Sequence, residues 1–280
     1  MLVYKNYDQA ALNHQYNNGE LVPNASQYFD FWKQVNQEVL SKYIHYPDIP
    51  YGQDVNEKLD IYPASIKNGP AMIFIHGGYW QSMDRSDFRI IAKAFVPQGI
   101  NTVIIGYPLA PRVGLDAIIN SVRRALTWIH LHISEYGGDP NALYLSGHSA
   151  GGHLAAAMVT KLFAPDEIRL KQVWALSGLY NLIPIQRSHV NAAIGMDEKT
   201  AIRCSPIEYI PDQTPLTLVV GANESDEYHC QMNDLAEKWS VYHKDLKTLV
   251  LPDVNHFSIL SELLNPESLL FQSCFEVIKR

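Results

Sequence analysis

Leu-Tyr-Leu-Ser-Gly-His-Ser-Ala-Gly-Gly-His, residues 143–153, is the stretch that decides the fold. A short apolar run leads into the pattern Gly-x-Ser-x-Gly, and helix-forming residues follow it. Gly147 and Gly151 lie two residues on either side of Ser149, where larger side chains would collide across a tight turn. The pattern predicts a strand, a strained turn that presents Ser149, and a helix whose N-terminus favours negative charge. The alternative is a glycine-rich turn in which the serine is incidental.

Short apolar runs elsewhere in the chain predict buried parallel strands, each bounded by Gly, Pro or Asn. These runs are residues 71–75, 101–105, 142–145, 172–176, 216–220 and 247–251. Segments with helical periodicity separate them, and the clearest, residues 116–136, ends at Gly137 as a helix commonly does. This alternation predicts an α/β fold, with a mostly parallel central sheet and helices on both faces.

No break in composition divides the chain, which contains no repeat, low-complexity tract or Gly/Ser linker. We therefore predict one domain over residues 1–280, a length that suits a single α/β sheet. Residues 1–50 are predicted to form an N-terminal helical extension, in which two helices within residues 7–41 pack on or over the sheet. Residues 179–215 contain no predicted strand and are a candidate for a partial lid.

The net charge of −7 argues against nucleic acid or an anionic membrane as a partner, because phosphate groups are bound by clustered Lys and Arg. We expect a small-molecule substrate, with a homodimer as one option for the assembly. The widely spaced cysteines, Cys204, Cys230 and Cys274, are predicted to be free thiols. Since the sequence shows neither a signal-peptide pattern nor a run that could span a membrane, we expect a cytoplasmic protein.

A second glycine-rich segment, His-Gly-Gly-Tyr-Trp at residues 76–80, follows a predicted strand. In the α/β-hydrolase fold this position carries a loop whose backbone N–H groups stabilise an oxyanion. We predict that the donors are the N–H groups of Gly78, Tyr79 and Ala150, each contributing about 3 kcal/mol when well placed. The side chain of His76 is expected to brace the loop.

The general base is expected late in the chain, because this fold orders its triad as serine, acid, histidine. His256 follows the last predicted strand and is the candidate. The acid should follow the strand at 216–220, and a strand-end turn most naturally presents Glu224, with Asp226 as the second candidate. Glu227 is expected to be a solvated charge at a helix start. The other histidines considered are predicted to be packing or solvated residues without a metal site: His130, His132, His148, His153, His189 and His229.

These motifs resemble those of the kynurenine formamidases (arylformamidases) and their esterase-like relatives in the α/β-hydrolase superfamily. The resemblance runs along most of the chain and includes His-Gly-Gly-x-Trp at 76–80 and Leu-Ser-Gly-Leu-Tyr at 176–180. The acid turn of the family, Gly-x-x-Asp/Glu-Ser-x-Glu-Phe-x-x-x-Gln, is similar to residues 221–231. This match puts the acid on Glu224, while Tyr228 replaces the Phe of the pattern.

The resemblance implies a serine hydrolase that cleaves the formyl amide of N-formyl-L-kynurenine to L-kynurenine and formate. Ser149 would be the nucleophile, His256 the base and Glu224 the acid, and no metal or organic cofactor would be needed. Aromatic residues in or beside the predicted loops are candidates for binding the substrate; they are Trp80, Tyr107 and Tyr180.

Two other functions are compatible with this sequence. The first is a general carboxylesterase that acts on short acyl esters, because the same machinery cleaves esters more readily than amides. A rate that falls with acyl length would indicate a pocket built for the formyl group. The second is a non-catalytic binding protein, since a fold alone does not determine function. The retention of a serine, an acid, a histidine and both loops favours an enzyme.

Overall fold

The computed structural model describes residues 1–165 and 167–279, and ten strands lie within them. The strands are β1 (Leu2–Tyr4), β2 (Tyr7–Asp8), β3 (Tyr46–Pro50), β4 (Lys58–Tyr62), β5 (Gly69–Ile75), β6 (Asn101–Ile105), β7 (Gly138–His148), β8 (Gln172–Leu176), β9 (Leu216–Gly221) and β10 (Leu246–Leu251). The first two form a small antiparallel hairpin, and the other eight form one sheet.

Eleven α-helices lie within the same residues. They are α1 (Gln9–Gln15), α2 (Asn18–Leu21), α3 (Ala25–Lys42), α4 (Ile90–Phe95), α5 (Leu115–His132), α6 (Ala150–Ala157), α7 (Ile183–Gln186), α8 (Asn191–Ile194), α9 (Glu198–Arg203), α10 (Asp226–Ser240) and α11 (Leu269–Ile278). The predicted helix at 116–136 corresponds to α5 and a following 3-10 turn, and Gly137 ends it in a left-handed conformation.

The strand order in the sheet is β10-β9-β8-β7-β5-β6-β4-β3. The neighbours from β10 to β6 are parallel, whereas β4 pairs antiparallel with both β6 and β3. The six predicted strands correspond to β5 through β10. The predicted α/β-hydrolase fold, with a mostly parallel sheet and helices on both faces, is confirmed.

The apolar pattern does not predict β3 and β4, and each has a physical reason. β3 is a largely exposed edge strand that contains Pro47 and Pro50, which an edge position tolerates. β4 is buried but carries Asp60 in its centre, which interrupts the apolar run. Arg85 donates from Nε to the Asp60 carboxylate at 2.8 Å, so the buried charge is paired.

Strand β5 shows how the sheet is buried on both faces. Ile73 and Ile75 belong to one apolar cluster, together with residues of α5 and α6. Met72 and Phe74 alternate with them and belong to a second cluster, with residues of α3, α4 and α11. This double burial explains the continuous apolar run in the sequence.

The N-terminal segment contains three helices, α1 to α3, where the sequence predicts two. Its first part is attached to the start of α10, because the Ser225 hydroxyl donates to the Gln15 carbonyl oxygen at 2.7 Å. Its last helix, α3, packs near α4 on the other side. The segment therefore crosses the edge of the sheet at which the parallel strands end. Among the described helices, none is both long and apolar enough to cross a membrane.

Candidate active site

Ser149 lies on a strained turn between β7 and α6. Its backbone has a φ of 58° and a ψ of −117°, which non-glycine residues rarely adopt. A Cβ atom on Gly147 would overlap the Gly151 carbonyl group, and one on Gly151 would overlap the Ile75 carbonyl group. The Ser149 N–H donates to the Leu176 carbonyl oxygen at 2.8 Å, which holds the turn against β8. The chain thus presents the serine directly before the first residue of α6.

His256 and Glu224 form a close, buried pair. The distance between His256 Nδ1 and Glu224 Oε2 is 2.6 Å, and the two side chains are 5% and 0% exposed. Because a carboxylate only accepts hydrogen bonds, His256 carries a proton on Nδ1, and its Nε2 is left to accept one. His256 and Ser149 line the same cavity. The arrangement can take a proton from a serine hydroxyl and stabilise the imidazolium that forms.

Glu224 is oriented by two more hydrogen bonds. The Ser177 hydroxyl donates to its Oε1 at 2.6 Å, and the Gly221 N–H donates to the same oxygen at 2.8 Å. Asp226, the second candidate for the acid, is exposed in the first turn of α10. The structure therefore brings Glu224, and not Asp226, to the histidine.

Glu227 is not the solvated charge that the sequence predicts. Its side chain is 1% exposed, the Tyr16 hydroxyl donates to its Oε2 at 3.0 Å, and Lys5 Nζ lies 3.8 Å from its Oε1. Burial raises the pKa of the Glu227 carboxyl group. The prediction was wrong because the N-terminal segment covers the first turn of α10.

The loop after β5 contains the first two predicted oxyanion donors. Gly78 has a φ of 104° and Tyr79 a φ of 50°, so the chain turns sharply here. In the described part of the chain, neither N–H donates to another protein group. Ala150 is the first residue of α6, where an N–H has no partner within the helix. Gly78, Tyr79 and Ser149 line one cavity, so these N–H groups are available to an oxyanion formed there.

His76 and Tyr107 support this loop. Their rings stack with centroids 4.2 Å apart and an interplanar angle of 11°. The Tyr107 hydroxyl donates to the His76 carbonyl oxygen at 2.8 Å. Burial lowers the pKa of His76 to about 4, so its imidazole is neutral at pH 7. His76 occupies the bracing position that the sequence predicts.

The three aromatic residues predicted to bind the substrate do not line the cavity beside Ser149. They are Trp80, Tyr107 and Tyr180. Each is at most 1% exposed. Trp80 Nε1 donates to His153 Nδ1 at 3.2 Å, and the Tyr180 hydroxyl donates to the Ala175 carbonyl oxygen at 3.3 Å. These predictions fail because the rings turn into the core, where burial of so much apolar surface is favourable and each polar atom still finds a partner.

The cavity beside Ser149 has a volume of about 380 Å³. One part of its wall is aromatic and consists of Phe29, Trp32, Phe88 and Phe257. Another part is polar and includes Asn17, Asn18 and His189. Within the described residues, His189 is the one contribution from the predicted lid at 179–215, whereas residues of α2 and α3 provide much of the cover.

Sequence reasoning missed three residues that contact this site. Ser177 holds Glu224, as described above, and His148 Nε2 lies 2.8 Å from the His256 carbonyl oxygen. The Tyr228 ring lies against the His256 imidazole with centroids 4.7 Å apart. The departure from Phe in the family pattern was the one signal in the sequence that singled out Tyr228.

The three cysteines, Cys204, Cys230 and Cys274, are free thiols, as the sequence predicts. Over residues 1–165 and 167–279, no group of three or more His, Cys, Asp or Glu side chains is placed to hold a metal ion.

Comparison with known proteins relates the chain to one family. The BD-FAE family model matches residues 59–239. The chain is 31% identical to a kynurenine formamidase of Danio rerio, over 82% of this chain and 81% of that protein. It is 30% identical to a kynurenine formamidase of Salmo salar, over 80% of this chain and 79% of the relative.

A solved structure gives the same result for the fold. The crystal structure of a putative thioesterase from a Silicibacter species superposes with a TM-score of 0.85 at 28% identity. The match covers 96% of this chain and 99% of that one. The protein is therefore a hydrolase of the serine-hydrolase type, and its chain belongs to the BD-FAE family of α/β-hydrolases, within the kynurenine formamidase-like group.

Proposed function

We propose that the protein cleaves the formyl amide of an N-formyl aromatic amine, with Ser149, His256 and Glu224 as its catalytic triad. N-formyl-L-kynurenine is the proposed substrate, and L-kynurenine and formate are the products. The observation that carries the proposal is the 2.6 Å contact between His256 and Glu224 beside the strained Ser149, at one aromatic cavity. The named relatives support the choice of a formamide.

In the first step, Ser149 Oγ attacks the formyl carbon and gives its proton to His256 Nε2. Glu224 holds the Nδ1–H and stabilises the positive charge on the imidazole. The carbonyl oxygen becomes an oxyanion, which the N–H groups of Gly78, Tyr79 and Ala150 bind. The strained backbone at Ser149 positions the hydroxyl for this attack before the substrate arrives.

In the second step, the C–N bond breaks and His256 passes its proton to the leaving nitrogen, which departs as the free aromatic amine. The formyl group remains as an ester on Ser149. A water molecule then attacks this ester while His256 takes a proton from it. Formate leaves, the proton returns to Ser149, and the enzyme is regenerated.

The shape of the cavity supports an aromatic leaving group. Phe29, Trp32 and Phe257 line it, and the Phe29 ring lies 5.3 Å from the Trp32 ring and 5.2 Å from the Phe257 ring between centroids. Such a surface can bind the aryl ring of the substrate. Asn17 and Asn18 line the polar part of the same cavity, where the Asn17 amide and the Asn18 side-chain oxygen can bind a charged amino-acid end.

The experiment that tests the proposal compares N-formyl-L-kynurenine with p-nitrophenyl esters from acetyl to octanoyl. The Ser149→Ala variant serves as the blank. We expect a kcat/KM for the formamide above about 10⁴ M⁻¹ s⁻¹, which is in the ordinary range for an enzyme and its own substrate. The absence of formamide turnover, together with rapid ester cleavage, would identify a carboxylesterase instead.

A further inference from the structure

The hydroxyl of Tyr79 can donate only one hydrogen bond, and its acceptor is fixed by the structure. It lies 2.8 Å from the Tyr16 carbonyl oxygen, a group that can only accept. The single phenolic proton of Tyr79 is therefore committed to Tyr16. Every other hydrogen bond at the Tyr79 oxygen must be one that it accepts.

This commitment fixes the direction of the next hydrogen bond. The Tyr228 and Tyr79 hydroxyl oxygens lie 2.9 Å apart. Since Tyr79 has no second proton, Tyr228 is the donor. Burial raises the pKa of the Tyr228 phenol, so the group is neutral and this is its one proton.

Asn18 completes the network. Its Nδ2 donates one hydrogen to Tyr228 at 2.9 Å and the other to Tyr79 at 3.3 Å. The Tyr228 oxygen thus donates once and accepts once, which leaves one acceptor position. The Tyr228 ring packs on His256 with centroids 4.7 Å apart, and its hydroxyl contacts Tyr79 and Asn18, which line the cavity together with Ser149. A buried acceptor therefore stands beside the nucleophile, although it cannot donate to an oxyanion there.

We propose that the Tyr228 hydroxyl oxygen accepts a hydrogen bond from the N–H of the scissile amide during acylation, and that it favours amides over esters. The inference rests on the proposed function. For its protonation, the leaving nitrogen must turn its lone pair toward His256, and its N–H then needs another acceptor at a point where Ser149 and His256 are only 3% and 4% exposed. A buried N–H that lacks an acceptor is costly, whereas the leaving oxygen of an ester carries no hydrogen.

The state of the Tyr228 acceptor position before substrate binding is consistent with the proposed hydrogen bond during acylation. Before the substrate binds, the acceptor position is open to the Ser149 O–H. When Ser149 gives its proton to His256, the position becomes free, and the N–H of the substrate takes it. Tyr228 touches the reacting group but neither gains nor loses a proton, so it determines specificity and is not an acid or base.

The test uses formanilide and phenyl formate, which share the formyl and phenyl groups and differ in the scissile N–H and O. Formanilide has no carbonyl group ortho to its amide, so nothing within the substrate can accept the N–H. Both substrates give the same formyl-enzyme, and kcat/KM therefore compares acylation alone. In the Tyr228→Phe variant, we expect kcat/KM to fall about tenfold for formanilide, with a less than about twofold change for phenyl formate.

Tyr209→Phe is the matched control, because it also removes a hydroxyl that donates a hydrogen bond, to the Arg203 carbonyl oxygen. The Tyr209 ring packs on Phe163, whereas the Tyr228 ring packs on His256. Tyr209→Phe should leave kcat/KM for both substrates unchanged. Equal losses for the two substrates in Tyr228→Phe, or no loss for formanilide, would overturn the inference. Wild-type protein that cleaves phenyl formate but not formanilide would instead overturn the proposed function, and the inference with it.

Discussion

His148 Nε2 donates a hydrogen bond to the main-chain carbonyl oxygen of His256 at 2.8 Å. The carbonyl can only accept, so the proton of His148 is on Nε2. Burial, and secondarily the nearby His256, lower the pKa of His148 well below its usual value, so the ring is neutral. The residue directly before the candidate nucleophile thus holds the loop that carries the candidate base.

Replacement of His148 should impair catalysis more than substrate binding. We expect His148→Leu to lower kcat about tenfold to a hundredfold while KM changes little, because misplacement of the base by a fraction of an ångström is costly. His148→Gln retains an N–H donor and should lose less. Steady-state kinetics of both variants on one substrate would check this order. A larger loss of kcat in His148→Gln than in His148→Leu would contradict the role of the hydrogen bond from His148 to the His256 carbonyl oxygen.

The two carboxylates near the start of α10 should differ sharply in importance. Glu224→Gln should lower kcat by about 10⁴, the loss seen when the triad acid of a serine protease is replaced by its amide. Asp226→Asn should change kcat less than about twofold, since exposed charges away from the reaction contribute little. Parallel measurement of kcat with one aryl substrate compares them, and the reverse order would assign the acid to Asp226.

Trp80 should matter for stability more than for substrate binding. Trp80→Phe retains an aromatic ring but leaves His153 Nδ1 without its donor, which should reduce the free energy of unfolding by about 1–3 kcal/mol. KM should change little, because Trp80 does not line the cavity. Urea unfolding and kinetics on the same preparation would show whether the two effects separate. A large rise in KM with unchanged stability would restore Trp80 to the substrate site.

Phe29 offers the converse case. It lines the cavity and is 40% exposed, so Phe29→Ala should cost little stability. Loss of an aromatic contact should raise KM for an aryl formamide about fivefold, the effect of about 1 kcal/mol. Inhibition by a simple aromatic amine, measured as a dissociation constant, should weaken by a similar factor. Unchanged binding in this variant would place the aryl ring elsewhere.

Stability should fall at mildly acidic pH because buried imidazoles bind protons less readily in the folded protein than in the unfolded chain. Burial lowers the pKa of His153 to about 4, against about 6.5 in the unfolded chain. Below pH 6.5 the imidazole binds a proton in the unfolded state but stays neutral in the native state. Stability is therefore lost as the pH falls from about 6.5 to about 4.

The contribution of His153 can be measured as a slope. Between pH 7.5 and pH 5, wild type should lose about 2 kcal/mol more of its unfolding free energy than His153→Gln. Chemical denaturation at the two pH values gives the comparison, and the lower stability of the variant at pH 7.5 does not enter it. Parallel lines for the two proteins would show that His153 does not titrate in this range.

Local patterns predicted the parts of this molecule that local physics determines. The turn at Ser149 requires glycine two residues away on either side, so the sequence there can adopt few other conformations. The buried strands were predicted because both of their faces are covered. Glu224 follows directly from the end of β9, and the structure places it against His256.

The residues that line the cavity could not be predicted in the same way. Trp80 and Phe29 are both aromatic and both lie near the site, yet one faces the core and the other the cavity. Trp80 faces the core, where it donates to His153, 73 positions away. Phe29 faces the cavity because the N-terminal segment crosses the edge of the sheet and packs it against Phe257 near the other end of the described chain. The burial of Glu227 depends on the same crossing. The spacing of apolar residues within a single helix or strand cannot predict such contacts between distant parts of the chain.

The cover of the cavity joins distant parts of the chain, so it cannot be completed until α10 has been synthesised. Asn18 contacts Tyr228, and Ser225 contacts Gln15, across a separation of 210 residues in each case. On the ribosome, α1 and α2 therefore lack these contacts until α10 has emerged, whereas α3 can already pack against α4. A nascent fragment that stops before α10 lacks both of these contacts and also His256, so it has neither the complete cover of the cavity nor the candidate base.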